Sequence, residues 1–244
     1  MNIKDRVIIV TGGARRIGRA ICLILAERGA KIVINYNRSE NEAHELLTII
    51  NGINDGSAIA VKADVSNPEE VQNMIESTID HFQAIDILVN NAAIFFKTKL
   101  FAISESDWDL FMNTNLKGPF LCSQKVGKIM SEKGSGKIIN IVDSFVISKE
   151  SRHYIPYMVS KAGLIMLTKT LASTLAPDIH VNAIAPGPVL FPDDLAEEEK
   201  RYAVEGTALK RIGSPEDIAM GVIFLIESEY ITGEVLHING GMFQ

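Results

Sequence analysis

The sequence predicts a single α/β domain over residues 1–244, a doubly wound, seven-stranded parallel sheet with helices on both faces. Three observations predict it. A β-branched run, Val7-Ile8-Ile9-Val10, passes straight into a glycine-rich turn and an apolar helix. Short apolar runs then alternate with helical stretches to the end of the chain, and no linker, repeat or low-complexity tract interrupts them. Strands separated by helices are joined by right-handed crossovers, which make the sheet parallel and cover both its faces.

The elements follow in order. Val7–Val10 is apolar without alternation, as a strand buried on both faces requires. Ile21, Leu23, Ile24 and Leu25 then recur at helical spacing. Gly29 ends that helix, Lys31–Tyr36 forms the second strand and 39–50 the second helix. A third strand spans 58–63, and a helix over 67–82 carries Pro68 in its first turn, where a missing N–H costs nothing. The fourth strand spans 85–89. One long helix over 106–131 contains Gly118-Pro119, which kinks it or marks close packing. A fifth strand over 137–142, a helix over 157–176, a sixth strand over 179–184, a helix over 215–226 and a seventh strand over 234–238 complete the pattern. The stretch 186–198, with three prolines and an acidic run, reads as the start of a mobile lid rather than a linker, and the loop 189–206 as a builder of the substrate pocket.

Composition excludes several function classes. With 47% apolar and 22% charged residues the chain folds, and a net charge of −6 disfavours nucleic acid and anionic membranes as partners. No apolar stretch is long enough to span a bilayer. Cys22 and Cys122 stand far apart with no CxxC or His cluster, so neither a metal site nor a disulfide framework is expected, and a reducing cytoplasm is.

Thr11-Gly12-Gly13-Ala14-Arg15-Arg16-Ile17-Gly18 lies between the first strand and first helix. There, backbone N–H groups and the helix dipole receive a dinucleotide pyrophosphate. The turn is not a P-loop, because Arg19-Ala20 rather than Lys-Ser/Thr follows Gly18. A carboxylate at the end of the second strand would bind ribose hydroxyls and repel a 2′-phosphate. Asn37, Arg38 and Ser39 stand there instead, with Arg15 nearby, a set that suits the phosphate and so NADP(H). Asp64, after the third strand, is placed to meet the adenine, with Val65 beside it. Tyr157 and Lys161, four residues apart, share one face of a helix. A phenol with a pKa near 10 is a poor proton catalyst at neutral pH, and an adjacent ammonium is expected to lower that value.

With these motifs in place, the whole chain resembles the short-chain dehydrogenase/reductase family, whose domain is a Rossmann fold. The likeness also rests on Asn90-Asn91-Ala92-Ala93, Asn115 and Pro186-Gly187, all in the family's order. It implies an NADPH-dependent enzyme acting on a small-molecule substrate. Tyr157 would exchange the proton, Lys161 would bind the nicotinamide ribose, and Asn115 would hold a water of the proton relay. Asn91, Ala92, Pro186 and Gly187 would line the cofactor cleft with Gly12, Ile17 and Gly18. A homotetramer, paired through the long helix and the Tyr157 helix, is implied by the same resemblance.

Two departures from the common family pattern resemble the pteridine reductases. Arg16 replaces a usual glycine, and Asp143 replaces the usual catalytic serine when the strand is aligned through Asn140-Ile141-Val142. Phe95 adds to the likeness. It implies a dihydropterin or related C=N substrate stacked on Phe95, reached by Arg16 and protonated with help from Asp143. Ser144, however, stands thirteen residues before Tyr157, the common family spacing, so either the loop 145–156 carries an extra residue or the strand bulges. Asp143 is the favoured alternative. The segments 187–192 and 209–218 also look like bacterial pteridine reductase-like members, but 3-oxoacyl carrier-protein reductases share much of the second. A carbonyl reductase of that kind is the alternative function, and a non-catalytic NADP-binding sensor the remaining one.

Overall fold

A computed structural model describes residues 1–148, 153–191 and 195–242, without the side chains of 147 and 148. Seven strands form one sheet in the order β3-β2-β1-β4-β5-β6-β7. They are β1 (Val7–Val10), β2 (Lys31–Tyr36), β3 (Ala58–Lys62), β4 (Ile87–Asn90), β5 (Gly136–Ile141), β6 (Ile179–Pro186) and β7 (Val235–Ile238), and every pairing is parallel. The order reverses between β1 and β4, which opens a crevice beyond the carboxyl ends of the strands.

Alternation along each strand divides the core. Ile8, Val10, Ile87 and Val89 join one apolar cluster with α1 (Arg16–Glu27), α2 (Glu40–Ile53) and α9 (Pro215–Glu227). Ile9, Val33, Leu88, Ile138 and Val181 join another with α3 (Pro68–Phe82), α5 (Gly118–Lys133) and α7 (Ile155–Leu175). Both faces of the sheet are thereby dry, as the unbroken apolar runs require. Cys22 and Cys122 are buried free thiols, and burial pushes both pKa values up, that of Cys122 to about 12, so neither is a nucleophile.

Helix starts follow their local chemistry. Asn67 accepts from the backbone N–H groups of Glu69 and Glu70 at the head of α3, and Ser214 and Asp217 cap α9 reciprocally. The long helix expected over 106–131 comes in three parts: α4 (Glu105–Met112), a widened π turn (Asn113–Lys117) and α5. The Gly118 N–H reaches back to Asn113 O, so Gly118-Pro119 does not break the helix. Gly118 serves close packing instead, since a Cβ there would meet Val65 Cγ2 at 2.8 Å.

Two stretches read as loop are helical: α6 (Phe145–Ser148) and α8 (Glu197–Glu205). Polar and acidic nearly throughout, α8 offers no apolar stripe to read, and three glutamates in its first turn favour it through the helix dipole. Among the described residues no helix is long and apolar enough to cross a membrane.

Candidate active site

The glycine-rich turn is fixed by its neighbours in the sheet. Gly12 N–H donates to Asn35 Oδ1 at 3.2 Å and Gly13 N–H to Asn35 O at 2.9 Å. Asn91 Nδ2 donates to the Thr11 and Gly12 carbonyls at 2.9 and 3.0 Å, while Thr11 Oγ1 accepts from the N–H groups of Asn91 and Ala92. Gly12 is left-handed, with φ +60°, and a Cβ would lie 2.9 Å from Ala92 Cα; one on Gly18 would press into Gly12 O and lie 2.6 Å from Asn91 Nδ2. Arg16 also has positive φ, +53°, the conformation a glycine would take freely. Its Nη2 donates to Leu190 O at 3.1 Å, tying the turn to the segment after β6. Arg15 is exposed, 3.6 Å from Glu42 Oε1, and has no side-chain capping bond to α1. The first N–H groups of α1 are thus left for another acceptor.

Asn37, Arg38, Asp64 and Val65 gather at the ends of β2 and β3. Asp64 Oδ1 accepts from Ser66 N and Oγ, and Oδ2 from Asn37 Nδ2 at 2.9 Å. Burial pushes the Asp64 carboxyl up, but the bonds from Ser66 and Asn37 and the Arg38 charge outweigh it and hold the pKa below the usual range. Arg38 is exposed, Ser39 precedes α2 without a side-chain capping bond, and Val65 is buried against Gly118. None of these residues lines the cavity that follows.

A cavity of about 1040 Å³ opens from the turn, past Asn91 and Ala92, to Asp143, Tyr157 and Lys161, and is bounded by Pro186–Phe191 and α8. Tyr157 Oη donates to Asp143 Oδ2 at 2.6 Å, and Asp143 Oδ1 accepts from Phe145 N at 2.8 Å. Ser144 is turned away, its Oγ donating to Ala185 O at 2.8 Å. The ladder toward β6 continues through Val142 N and Ser144 N to the Ile184 and Pro186 carbonyls, so there is no bulge and adjacent side chains leave opposite faces. The bulge alternative is thereby set aside; the other, an extra residue within 145–156, falls partly outside the described residues.

The electrostatics correct one expectation. Lys161 Nζ donates to Ile141 O at 2.7 Å and lies 5.9 Å from the centre of the Tyr157 ring, with no bond to the hydroxyl. Burial, then the Asp143 charge and hydrogen bond, push the Tyr157 phenol well above its usual pKa rather than below it. Burial also raises Asp143 against the opposing bonds from Tyr157 and Phe145 and the Lys161 charge. It lowers Lys161 to about 8, with Asp143 pulling the other way.

Asn115 lies within the π turn, fully buried. Its Oδ1 accepts from Ile94 N, and its Nδ2 donates to Ile94 O and, at 3.2 Å, to Ser160 Oγ. Ser160 Oγ donates onward to the Tyr157 carbonyl. Phe95, 46% exposed, stacks on Tyr154 with ring centroids 4.6 Å apart and meets Tyr157 edge-on at 4.8 Å. The segment 189–206, read from sequence as a builder of the pocket, does line the cavity, with Tyr202 and the α8 glutamates the particular side chains not named; Tyr154 was missed. Tyr154 had a readable signal, since it stands one helical turn before Tyr157.

The site fits a nicotinamide dinucleotide: glycines that exclude a Cβ, uncapped N–H groups at the head of α1, and a long cavity running from them to the phenol. Residues 12–243 match the family model described as enoyl-(acyl carrier protein) reductase. The 3-oxoacyl-[acyl-carrier-protein] reductase FabG of Staphylococcus epidermidis is 40% identical, with 96% of this chain and 98% of the relative covered. The 3-oxoacyl-[acyl-carrier-protein] reductase of Synechocystis is also 40% identical, with 98% of each covered. These relatives carry the name of the alternative function, not of the pteridine reductases. A crystal structure of a short chain dehydrogenase from Bacillus anthracis superposes with a TM-score of 0.89 at 34% identity, covering 98% of this chain and 97% of that one. Fold, site and relatives agree: the chain belongs to the short-chain dehydrogenase/reductase family of oxidoreductases.

Proposed function

We propose that this chain is an NADPH-dependent carbonyl reductase that converts a 3-oxo group to a secondary alcohol, the chemistry its relatives' names describe. One observation carries the reading: the Tyr157 hydroxyl and Lys161 share a helix face at the floor of a cavity that begins at the glycine-rich turn. The dinucleotide, when bound, supplies hydride to the carbonyl carbon. Tyr157 gives its proton to the carbonyl oxygen, and Asp143, 2.6 Å away with its carboxyl shifted by burial toward the neutral form, takes up a proton from solvent and passes it to the phenolate left behind. The Lys161 ammonium, 5.9 Å from the centre of the Tyr157 ring, favours that phenolate through its charge. The absence of a carboxylate at the end of β2, where Arg38 stands exposed, supports NADPH over NADH.

A second reading, reduction of a dihydropterin-like C=N bond, is favoured by one specific feature: a carboxyl group rather than a serine hydroxyl touches Tyr157. Oxidation of NADPH and of NADH is to be followed with an acetoacetyl thioester and with dihydrobiopterin. Turnover of the thioester with NADPH preferred is expected; turnover of the pterin alone selects the second reading, and indifference between the nucleotides contradicts the NADPH assignment.

The chain is further read as a cytoplasmic homotetramer. Exposed Trp108, Leu110, Phe120, Val159 and Met166 on α4, α5 and α7 supply apolar surface for assembly, and the unpaired thiols suit a reducing compartment.

A further inference from the structure

α8 is a wall of the cavity with little packing of its own. None of its residues is buried, although Glu198, Glu199 and Tyr202 line the cavity. Helices of a globular domain are held chiefly by a buried apolar face, and α8 lacks that attachment. Polar contacts hold it instead. Two of its glutamates are engaged within the helix, Glu197 by Lys200 at 2.6 Å and Glu205 by Arg201 at 3.8 Å. Glu199 reaches outward. Both its oxygens lie 3.0 Å from Lys97 Nζ, on the loop after β4, and Oε2 also accepts from Ala196 N–H at 3.4 Å, closing the first turn of the helix.

The far end of this pair stands on fixed ground. Thr98, next to Lys97, is buried, and its N–H and Oγ1 both donate to His153 O, at 2.6 and 3.4 Å, just ahead of the helix that carries Tyr157. Two residues before Lys97, Phe95 lines the cavity and meets Tyr157 edge-on. From this juxtaposition of a weakly packed wall and an anchored cation, we infer that Lys97 is a positioning residue, which through Glu199 holds α8 across the substrate end of the cavity and so sets how tightly substrate is enclosed. The inference rests on the reductase reading and adds to it a side chain that stands behind the cavity wall. An exposed ion pair contributes little to the stability of a whole domain, because two long side chains lose freedom and water screens the charges. Here it acts on a smaller balance, α8 seated or unseated, which a modest change shifts without unfolding the protein. At the cofactor end the segment before α8 has its own tie, Arg16 Nη2 to Leu190 O, so loss of Lys97 weakens substrate more than NADPH.

The test uses the full chain, with Lys97→Gln, Glu199→Gln, the double variant and Lys97→Arg. Glutamine at 199 keeps an acceptor for Ala196 N–H and removes only the charge. At saturating NADPH, with the better of an acetoacetyl thioester and dihydrobiopterin, KM is expected to rise about two- to fivefold in each single glutamine variant while kcat changes less. The double variant should be no worse than either single one, since the interaction is already gone. Lys97→Arg, which keeps charge and donors, should recover most of the loss. Hydrogen exchange of the α8 amides, which needs no substrate, should quicken in the glutamine variants and slow again with arginine. A KM that is unchanged or rises additively in the double variant, or α8 exchange unmoved by Lys97→Gln, overturns the inference and leaves the reductase reading standing. Turnover of neither substrate by the unaltered chain overturns the reductase reading, and the exchange rates then decide on the Lys97–Glu199 clasp by themselves.

Discussion

Asp143 and Tyr157 form a hydrogen-bonded proton pair on the cavity wall, and their order of action follows from the groups around them. Burial raises both, so the phenol stays protonated and the carboxyl can accept and return a proton at a pH where an exposed carboxylate would not. Asp143→Asn preserves the shape but removes the returnable proton, and kcat is expected to fall about 10- to 100-fold. Asp143→Ser separates the two substrate readings, since a hydroxyl serves a carbonyl better than a ring imine. Lys161 sets the alkaline limit: burial lowers it to about 8, so the ammonium that stabilises the phenolate is lost as pH rises through that value. A pH profile of kcat/KM should decline there, and Lys161→Arg should move the decline upward even where its rate is lower. Spacing alone made the Tyr157–Lys161 face legible, because four residues are about one helical turn. It did not decide between Asp143 and Ser144, which depended on where one extra residue is accommodated. Nor could it reveal how deeply the phenol is buried or that Asp143 stands against it, the two causes that overturn its expected acidification, or the bond from Lys161 to Ile141 O.

Helix ends and turns show which elements serve stability and which serve the site. α3 and α9 have side-chain caps, whereas α1 has none and faces the cavity. Gly18 allows α1 to approach Gly12 and Asn91, so Gly18→Ala is expected to cost roughly 1–3 kcal/mol through overpacking. NADPH affinity should fall beyond what the lost stability explains, which thermal unfolding and calorimetric titration on the same variant can separate. Strands and long amphipathic helices were legible because their burial leaves a period in the sequence. The π turn was not, since one added residue leaves that period nearly unchanged, yet it places Asn115 against Ile94 and Ser160. α8 escaped as a helix because a nine-residue stretch led by three glutamates, with only Tyr202, Ala203 and Val204 apolar, offers too short a pattern to read, although the segment 189–206 was legible as a builder of the pocket.

At the scale of the molecule, topology was the most legible feature. Crossover helices require parallel neighbours, and the reversal of strand order beside β1 puts the crevice where the glycine-rich turn, Asn91 and the Tyr157 helix converge. The substrate was the least legible, because it depends on how the segments after β6 are laid over that crevice. Light scattering should give a mass near four chains, and Met166→Glu should lower it; a monomer at micromolar concentration would contradict the assembly proposed. The measurement that bears most directly on the account is NADPH oxidation by Tyr157→Phe, with NADPH binding measured on the same preparation. Nucleotide binding close to that of the unaltered chain with turnover reduced at least about 100-fold is the expected result. Turnover undiminished by loss of this one hydroxyl would contradict it.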